Sequence, residues 1–146
     1  MSEHPSRGRR IIRKLVIEPE FHQVDIMGLV HNVAYFYWFE KGRLEILWDI
    51  LPFEEAIRLK LGLPVVRHVC TYKNGARFGD RLVLTTTHEV LPRYEGKLVF
   101  QHSLVHETRK TEIAEAETTL TILDMQSGQL VREFPADVWA RYQKLV

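Results

Sequence analysis

With 146 residues, of which 45% are hydrophobic and 27% are charged, the chain has the size and composition of one folded domain and not of a disordered protein. Its 20 lysines and arginines nearly balance 19 aspartates and glutamates, so the formal net charge of +1 gives no support for a nucleic-acid-binding domain. The single cysteine excludes an internal disulfide framework, and no apolar run reaches the ~18 residues of a membrane helix, so we expect one reduced, cytoplasmic domain over residues 1–146 without a membrane span.

The first predicted elements are a basic tail and a strand. We interpret residues 1–10 as a solvated, flexible tail, because no long apolar stretch follows them as it does in a secretory signal. Apolar residues then alternate over residues 11–24, which predicts a strand. Pro19 has no amide donor, so it indicates an edge strand or a bulge.

A loop and a long helix come next. Residues 25–31 break the alternation and contain Gly28, which suits a backbone turn. Asn32 is a good N-cap for a helix over residues 33–48, and this helix is apolar around nearly its whole circumference, which predicts burial. Glycine costs a helix about 1 kcal/mol relative to alanine. We therefore expect Gly42 to mark a close approach of a sheet to the stripe formed by Tyr35, Phe39, Gly42 and Ile46.

The remaining chain changes to a period of two. The predicted strands cover residues 65–72, 82–90, 98–104 and 114–122, and short helices are predicted over residues 54–60 and 135–142. The links between the last three strands are short enough for hairpins, which requires antiparallel pairing. The pattern predicts an α+β fold in which an antiparallel sheet of about five strands wraps around a long central helix.

Asp25 is the residue with the clearest chemical potential, because it lies in the glycine-containing loop seven residues before Asn32. One interpretation is an Asx-turn that only shapes the loop. The other is a carboxylate presented to a substrate whose carbonyl oxygen points at the helix N-terminus. There the free amides of the first turn and the positive end of the helix dipole stabilise an oxyanion. The residues alone leave both interpretations open.

The residues around the start of the helix form a spaced motif: Asp25, Gly28, Val30, Asn32, Tyr35, Glu40 and Arg43. This motif resembles the signature of the hot-dog-fold acyl-CoA thioesterases, and within them the 4-hydroxybenzoyl-CoA thioesterase family, which includes the acyl-CoA thioesterases associated with the bacterial Tol–Pal system. Phe78–Asp80 and Leu98–Phe100 resemble later parts of the same family, so the likeness covers roughly residues 15–139. It implies a hot-dog fold and the hydrolysis of an acyl-CoA to a free acid and CoA, with no metal or other cofactor.

The resemblance also implies roles at the start of the helix. Asp25 matches the catalytic carboxylate of the family, which acts as a nucleophile through a mixed anhydride or as a general base for water. Both routes stay open. Asn32 and Val33 lie where backbone amides polarise the thioester carbonyl. His31 departs from the asparagine or tyrosine common at its position, and it either caps or packs there or tunes Asp25.

Further roles follow for the acyl group and for CoA. Tyr35 and Phe39, on the sheet-facing stripe, are expected to line or support the acyl pocket. The phosphates of CoA need basic partners. Arg77, in a loop, and Arg93 and Lys97, at a hairpin turn, are the candidates for CoA binding.

Two other sets of residues have structural interpretations. Glu40 and Arg43 stand at i and i+3 on the helix, a spacing typical of a structural ion pair. His88, His102 and His106 alternate along strands without companion cysteines or paired carboxylates at metal-ligand spacing, so we expect no zinc site.

The predicted sheet has an unpaired edge, which natural proteins cover or pair. We therefore expect at least a homodimer. The resemblance implies that two dimers can pair into a tetramer and that Asp25 of one chain lies near strand residues of the other. Two alternatives to a thioesterase stay open: a hot-dog dehydratase or hydratase acting on acyl thioesters, and a non-catalytic acyl-thioester binding protein. Acyl chain length, aromatic preference and the choice between CoA and acyl-carrier protein also stay open.

Overall fold

A computed structural model describes residues 8–145, so most of the predicted tail, residues 1–7, lies outside the described part of the chain. Its strands are β1 (Arg10–Ile17), β2 (Leu61–Gly62), β3 (Val65–Tyr72), β4 (Leu82–Glu89), β5 (Leu98–His106), β6 (Glu112–Leu120), β7 (Leu123–Asp124) and β8 (Gln129–Leu130). Its α-helices are α1 (Asn32–Ile50), α2 (Phe53–Leu59) and α3 (Ala136–Gln143), and a 3-10 turn spans Phe21–Gln23.

Five of the strands form one antiparallel sheet in the order β1-β4-β5-β6-β3. Hairpins join β4 to β5 and β5 to β6, whereas β3 pairs with β6 and lies at the edge, although β4 follows it in the chain. The long helix α1 packs on one face of this sheet. The predicted α+β fold, with five antiparallel strands and a long central helix, is confirmed.

The closest approach of α1 to the sheet lies at Gly42. A Cβ atom at this position would stand 2.9 Å from Leu84 Cδ2 and would overlap Thr86 Oγ1. Leu84 and Thr86 are both fully buried on β4. The expectation that a sheet approaches the helix backbone at Gly42 is confirmed, because no other residue type leaves room for this contact.

Three details of the N-terminal part differ from the predictions. Strand β1 begins at Arg10, the last residue of the predicted tail, and ends at Ile17 and not at residue 24. Pro19 cannot donate to the ladder, and the chain turns into the 3-10 turn instead. Asn32 is the first residue of α1 and not its N-cap, a position that His31 occupies without a side-chain hydrogen bond.

The prediction of a wholly buried helix was wrong for one side of α1. Its buried residues face the sheet and the core, whereas Val33, Phe36, Tyr37 and Trp48 are exposed in this single chain. An apolar circumference alone does not show which side the chain itself covers. Helix α1 therefore presents an uncovered apolar flank.

A second packing unit closes the far end of the molecule. The short strands form a small sheet in the order β2-β7-β8, which the sequence did not predict. Helix α3 packs against α1, and its Tyr142 hydroxyl lies 2.8 Å from His88 Nε2 and accepts the N–H of Leu91 at 2.7 Å.

Within residues 8–145, no helix has the length and apolar character that crossing a membrane requires.

We predict that Gly42→Leu lowers the free energy of unfolding by about 2 kcal/mol, because overpacking a filled core typically costs 1–3 kcal/mol. The matched control is Lys41→Leu, one position earlier on the exposed side of the helix. Urea titration followed by circular dichroism measures both. Equal midpoints for the two variants would show that Gly42 does not hold the helix against the sheet.

Candidate active site

Asp25 lies in a tight hairpin loop, residues 25–29, closed by the Val24–Val30 bridge. We name this segment the carboxylate loop. The loop turns at Gly28, whose φ of 75° is in the left-handed region. Asp25 Oδ1 accepts the backbone N–H groups of Met27 at 2.8 Å and Leu29 at 3.2 Å. One carboxylate oxygen therefore forms the Asx-turn, while Oδ2 accepts no hydrogen bond from the described residues.

A second loop holds the hairpin loop in place. The Val30 N–H donates to the Ala76 carbonyl at 2.9 Å, and Leu29 bridges to Arg77. Gly75 leaves room for Leu29, because a Cβ atom there would stand 2.8 Å from Leu29 Cδ2. The His31 N–H also donates to the Gln23 carbonyl at 2.8 Å. These contacts fix the carboxylate loop directly beside the start of α1.

The first turn of α1 is open to a ligand. His31, Asn32 and Val33 are all exposed. The N–H groups of Asn32 and Val33 have no intrahelical acceptor because they lie in the first turn, whereas the Ala34 N–H donates to the His31 carbonyl at 3.0 Å. The structure therefore brings Asp25 and the helix N-terminus to one end of the molecule, as the sequence analysis expected.

Tyr35 and Phe39 lie in the core, where they are 3% and 0% exposed. Tyr35 packs edge-on against Tyr72, with ring centres 5.0 Å apart, and Phe39 packs against His102 at 4.9 Å. Burial, followed by the hydrogen bond with Cys70, raises the pKa of Tyr72 to about 12, so its hydroxyl stays protonated and donates to the Asn32 carbonyl at 3.3 Å. Tyr35 and Phe39 therefore lie on the buried side of α1 and do not line its exposed surface.

The apolar surface beside the start of α1 consists of other residues. Val33, Phe36 and Tyr37 project from the uncovered flank of the helix, and Tyr72 is half-exposed on the neighbouring edge strand β3. Sequence reasoning considered only the backbone amide of Val33 and gave Phe36, Tyr37 and Tyr72 no role in the site. The apolar character of the helix residues was visible, but it was interpreted as a sign of burial.

Arg77 lies at the carboxylate loop. Its Nη1 donates to the Met27 carbonyl at 3.5 Å, and the guanidinium forms no ion pair with a carboxylate within residues 8–145. Arg93 and Lys97 lie elsewhere. The carboxylate loop follows the Ile17 end of β1, whereas the turn with Arg93 follows the end of β4 that pairs with Arg10. At ~3.3 Å per residue, these two ends are about 23 Å apart.

Arg93 and Lys97 line a groove between the β4–β5 turn and the segment before α3, with a volume of about 900 Å³. Arg132 adds a third cation, and Tyr94 and Phe134 stack at 4.7 Å in its wall. Arg93 pairs with Glu95 at 3.1 Å in an exposed ion pair, which is of little energetic value. In one chain, this groove and the carboxylate loop are separate sites.

The strand histidines have structural partners. His88 Nδ1 lies 2.8 Å from the Val99 carbonyl oxygen, and His106 Nδ1 accepts the N–H groups of Thr108 and Arg109. Burial, with Arg43 and His68 nearby, lowers the pKa of His102 to about 3, so it is neutral. No group of three or more His, Cys, Asp or Glu in the described part of the chain is arranged to hold a metal ion.

Comparison with known proteins identifies the architecture. The sequence model of a family described as the thioesterase-like superfamily matches residues 19–142. Among solved structures, the chain is similar to a hypothetical protein from Thermus thermophilus, with 24% identity, a TM-score of 0.76 and coverage of 93% of this chain and 98% of that one. No curated protein matches the chain.

Two further solved structures are similar. For the DHNA-CoA thioesterase from Staphylococcus aureus the identity is 19% and the TM-score 0.79, with 92% of this chain and 90% of that chain covered. For the YbaW probable thioesterase from Escherichia coli the identity is 17% and the TM-score 0.74, with 91% and 98% covered. These likenesses confirm the hot-dog fold that the family resemblance implied.

Proposed function

Because the chain belongs to the thioesterase-like superfamily, whose sequence model matches residues 19–142, we propose that it hydrolyses an acyl-CoA thioester to the free acid and CoA. This membership confirms the resemblance found in the sequence, and it agrees with the predicted enzyme class, a thioester hydrolase. The observation that carries the proposal is the geometry of Asp25. One of its oxygens is anchored, the other is free, and the loop adjoins an open helix N-terminus.

The reaction needs a group that attacks or activates water and a group that stabilises the developing oxyanion. Asp25 Oδ1 is held by two backbone N–H groups, so Oδ2 points in a fixed direction. Oδ2 either attacks the thioester carbon and forms a mixed anhydride that water cleaves, or takes a proton from the attacking water. In both routes one water is consumed and the thiolate of CoA leaves.

The N–H groups of Asn32 and Val33 supply the second requirement. They point out of the first turn of α1, where the positive end of the helix dipole adds to their effect. A thioester carbonyl oxygen placed there is polarised toward the oxyanion that forms on attack. His31 stands at the N-cap beside these amides without capping them.

We predict that Asp25→Asn lowers kcat/KM by at least ~10²-fold, the typical effect of losing a positioned acid–base group. Asparagine keeps an oxygen that can accept the N–H groups of Met27 and Leu29, so the turn persists while the free carboxylate oxygen is lost. Thiol release from the best acyl-CoA substrate measures the effect.

The control is Asp25→Ala, which removes the turn as well and should add a loss of thermal stability to the loss of turnover. A folded Asn variant with near-normal turnover would overturn the role of Asp25. If the wild-type chain binds acyl-CoA but releases no thiol, it is a binding protein and not an enzyme.

CoA itself carries phosphates that require cations. We propose that Arg77, which has no carboxylate partner among the described residues, contacts the CoA arm near the thioester. Arg93 and Lys97 would bind the nucleotide phosphates in the 900 Å³ groove. The two ends of β1, next to which the groove and the carboxylate loop lie, are about 23 Å apart. The groove of one chain therefore serves the carboxylate loop of a second copy only if the two sites meet across an interface. No further cofactor takes part in this chemistry.

We predict that the double variant Arg93→Glu and Lys97→Glu raises KM for an acyl-CoA by about tenfold, since two charge-assisted contacts to phosphate are reversed. The same acyl group on N-acetylcysteamine, which lacks the nucleotide, should be hydrolysed at an unchanged rate. Lys60→Glu with Lys144→Glu is a control for net charge. Equal effects on both thioesters, or no effect on either, would contradict the assignment.

The sheet also favours assembly into at least a homodimer, which we propose to form along β3. Both edges of the sheet have unpaired backbone groups. Strand β1 carries Arg10, Arg13 and Lys14, and charges of this kind protect an edge. Strand β3 carries three valines and one tyrosine among its exposed residues and adjoins the uncovered flank of α1. Pairing along β3 would cover these exposed strand residues.

We predict that light scattering at micromolar concentration gives at least twice 17.2 kDa, and that Val69→Lys on β3 reduces this to the monomer mass. Ile12→Lys on β1 is the matched control, because the two positions are 42% and 50% exposed. Dissociation by the control alone would place the interface on the other edge. A fully active wild-type monomer would contradict the dimer.

A further inference from the structure

Four polar side chains cross the sheet on the face that α1 covers, each on a different neighbouring strand. Thr86 Oγ1 on β4 lies 3.0 Å from His102 Nδ1 on β5. His102 Nε2 lies 3.2 Å from Thr118 Oγ1 on β6. The same hydroxyl lies 2.8 Å from His68 Nδ1 on the edge strand β3. We name these four residues the polar row.

The polar row ends on an unpaired nitrogen. His68 Nε2 is buried and has no hydrogen-bond partner among the described residues, whereas the other ring nitrogens of the row are bonded. A buried polar atom without a partner carries a free-energy cost, and such atoms are rare in folded proteins. A partner from outside the chain would remove this cost.

The row allows two proton orders, because the threonine hydroxyls can rotate. In one order each histidine donates from Nδ1, and His68 Nε2 accepts. In the other order Thr86 and Thr118 donate to Nδ1, and His68 Nε2 donates. Burial and the nearby Arg43 lower the pKa of His68, so the ring is neutral in both orders. A hydroxyl satisfies either order, because it both donates and accepts, and a carboxylate satisfies the donating one.

The unpaired nitrogen lies at the seam between α1 and β3. The Phe36 ring covers the His68 ring edge-on, with centres 4.6 Å apart, but is itself 41% exposed. A turn of this side chain would therefore uncover His68. Arg43, which is only 8% exposed and is paired with Glu40 at 3.3 Å, adds a positive charge nearby.

The seam lies close to the first turn of α1. Phe36 stands one helical turn beyond the Asn32 and Val33 amides, and a turn is ~5.4 Å long. A small acyl group whose carbonyl lies on these amides would reach the Phe36 position along the uncovered flank of α1. The apolar side chains Val33 and Tyr72 lie beside that path.

We propose that the acyl group lies along this seam, displaces Phe36 and places an oxygen substituent on His68 Nε2. The chain would thereby select small acyl groups that carry a hydroxyl or carboxylate oxygen about one helical turn from the thioester carbon. This inference rests on the proposed hydrolysis at the N-terminus of α1. His68 is a specificity-determining residue, and the rest of the polar row orients its ring.

The test compares kcat/KM within two substrate pairs: 4-hydroxybenzoyl-CoA with benzoyl-CoA, and succinyl-CoA with butanoyl-CoA. In at least one pair the wild type should prefer the oxygenated member by about tenfold or more, the effect of one buried hydrogen bond. The two pairs separate hydroxyl from carboxylate recognition. His68→Asn retains an amide near the Nδ1 position, for Thr118, but loses Nε2, and should reduce the preference to less than about threefold.

His68→Gln, which places an amide near the Nε2 position, should retain a preference. His22→Asn, on the exposed 3-10 turn, is the matched histidine control and should leave it unchanged. Absence of a preference in both wild-type pairs, or its survival in a folded His68→Asn variant, would overturn the proposal. A crystal structure of the wild type with the thioether analogue of the preferred substrate, 4-hydroxybenzyl-CoA or 3-carboxypropyl-CoA, decides the point without a substitution: its oxygen substituent within hydrogen-bond distance of His68 Nε2 supports the proposal, and any other position overturns it.

Calorimetry with the thioethers of both pairs, 4-hydroxybenzyl-CoA with benzyl-CoA and 3-carboxypropyl-CoA with butyl-CoA, separates this inference from the proposed hydrolysis. If the chain hydrolyses thioesters but binds the two members of each thioether pair equally, the hydrolysis stands and the His68 site fails. If it hydrolyses none but binds the oxygenated member of one pair about tenfold more tightly, and His68→Asn removes the difference, the His68 site stands and the hydrolysis fails. If it hydrolyses no thioester and binds no thioether, both fail.

Discussion

The contact between α1 and β4 at Gly42 determines where the rest of the molecule lies. A side chain there would overlap Thr86 and press on Leu84, so the helix axis sits closer to the sheet than a larger residue would permit. The helix then runs across the sheet with its first turn at one end, beside the Asp25 loop. The position of the amides relative to the carboxylate is thus a consequence of core packing.

Two loops beside the first turn of α1 form the candidate site. The hairpin loop carries Asp25, and the Gly75–Asp80 loop is joined to it through Val30, Leu29 and Arg77. Each backbone hydrogen bond of this kind contributes about 1 kcal/mol, and together they restrict the direction of the carboxylate. The rigid core thus positions a site that is built from the backbone of loops.

The sequence predicted the elements well where the spacing of apolar residues reports on one chain alone. Alternation located β3 to β6, and the glycine at position 42 indicated the close approach of the sheet. Pro19 was predicted to mark an edge or a bulge within a strand over residues 11–24, whereas strand β1 ends before it, at Ile17. The exposed flank of α1 was misjudged, because an apolar side chain has the same signature whether its own chain or another molecule covers it.

The candidate site could be predicted only in part. The Asx-turn was one of two open interpretations of Asp25, and its chemical role came from the family resemblance. The polar row could not be read from the sequence, because it depends on β3 pairing with β6, a long-range pairing that local patterns do not encode. The same holds for the separation of Arg77 from Arg93 and Lys97, which requires the register of β1 with β4.

The central claim is that this chain cleaves acyl-CoA thioesters. The most direct measurement is spectrophotometric thiol release from a panel of benzoyl-, phenylacetyl-, short-chain and long-chain acyl-CoA thioesters with the full-length wild-type protein. We expect saturable release of CoA from at least one member, in equal amount to the free acid and without added metal or cofactor. Release no faster than the uncatalysed rate from every member, at micromolar protein, would contradict it.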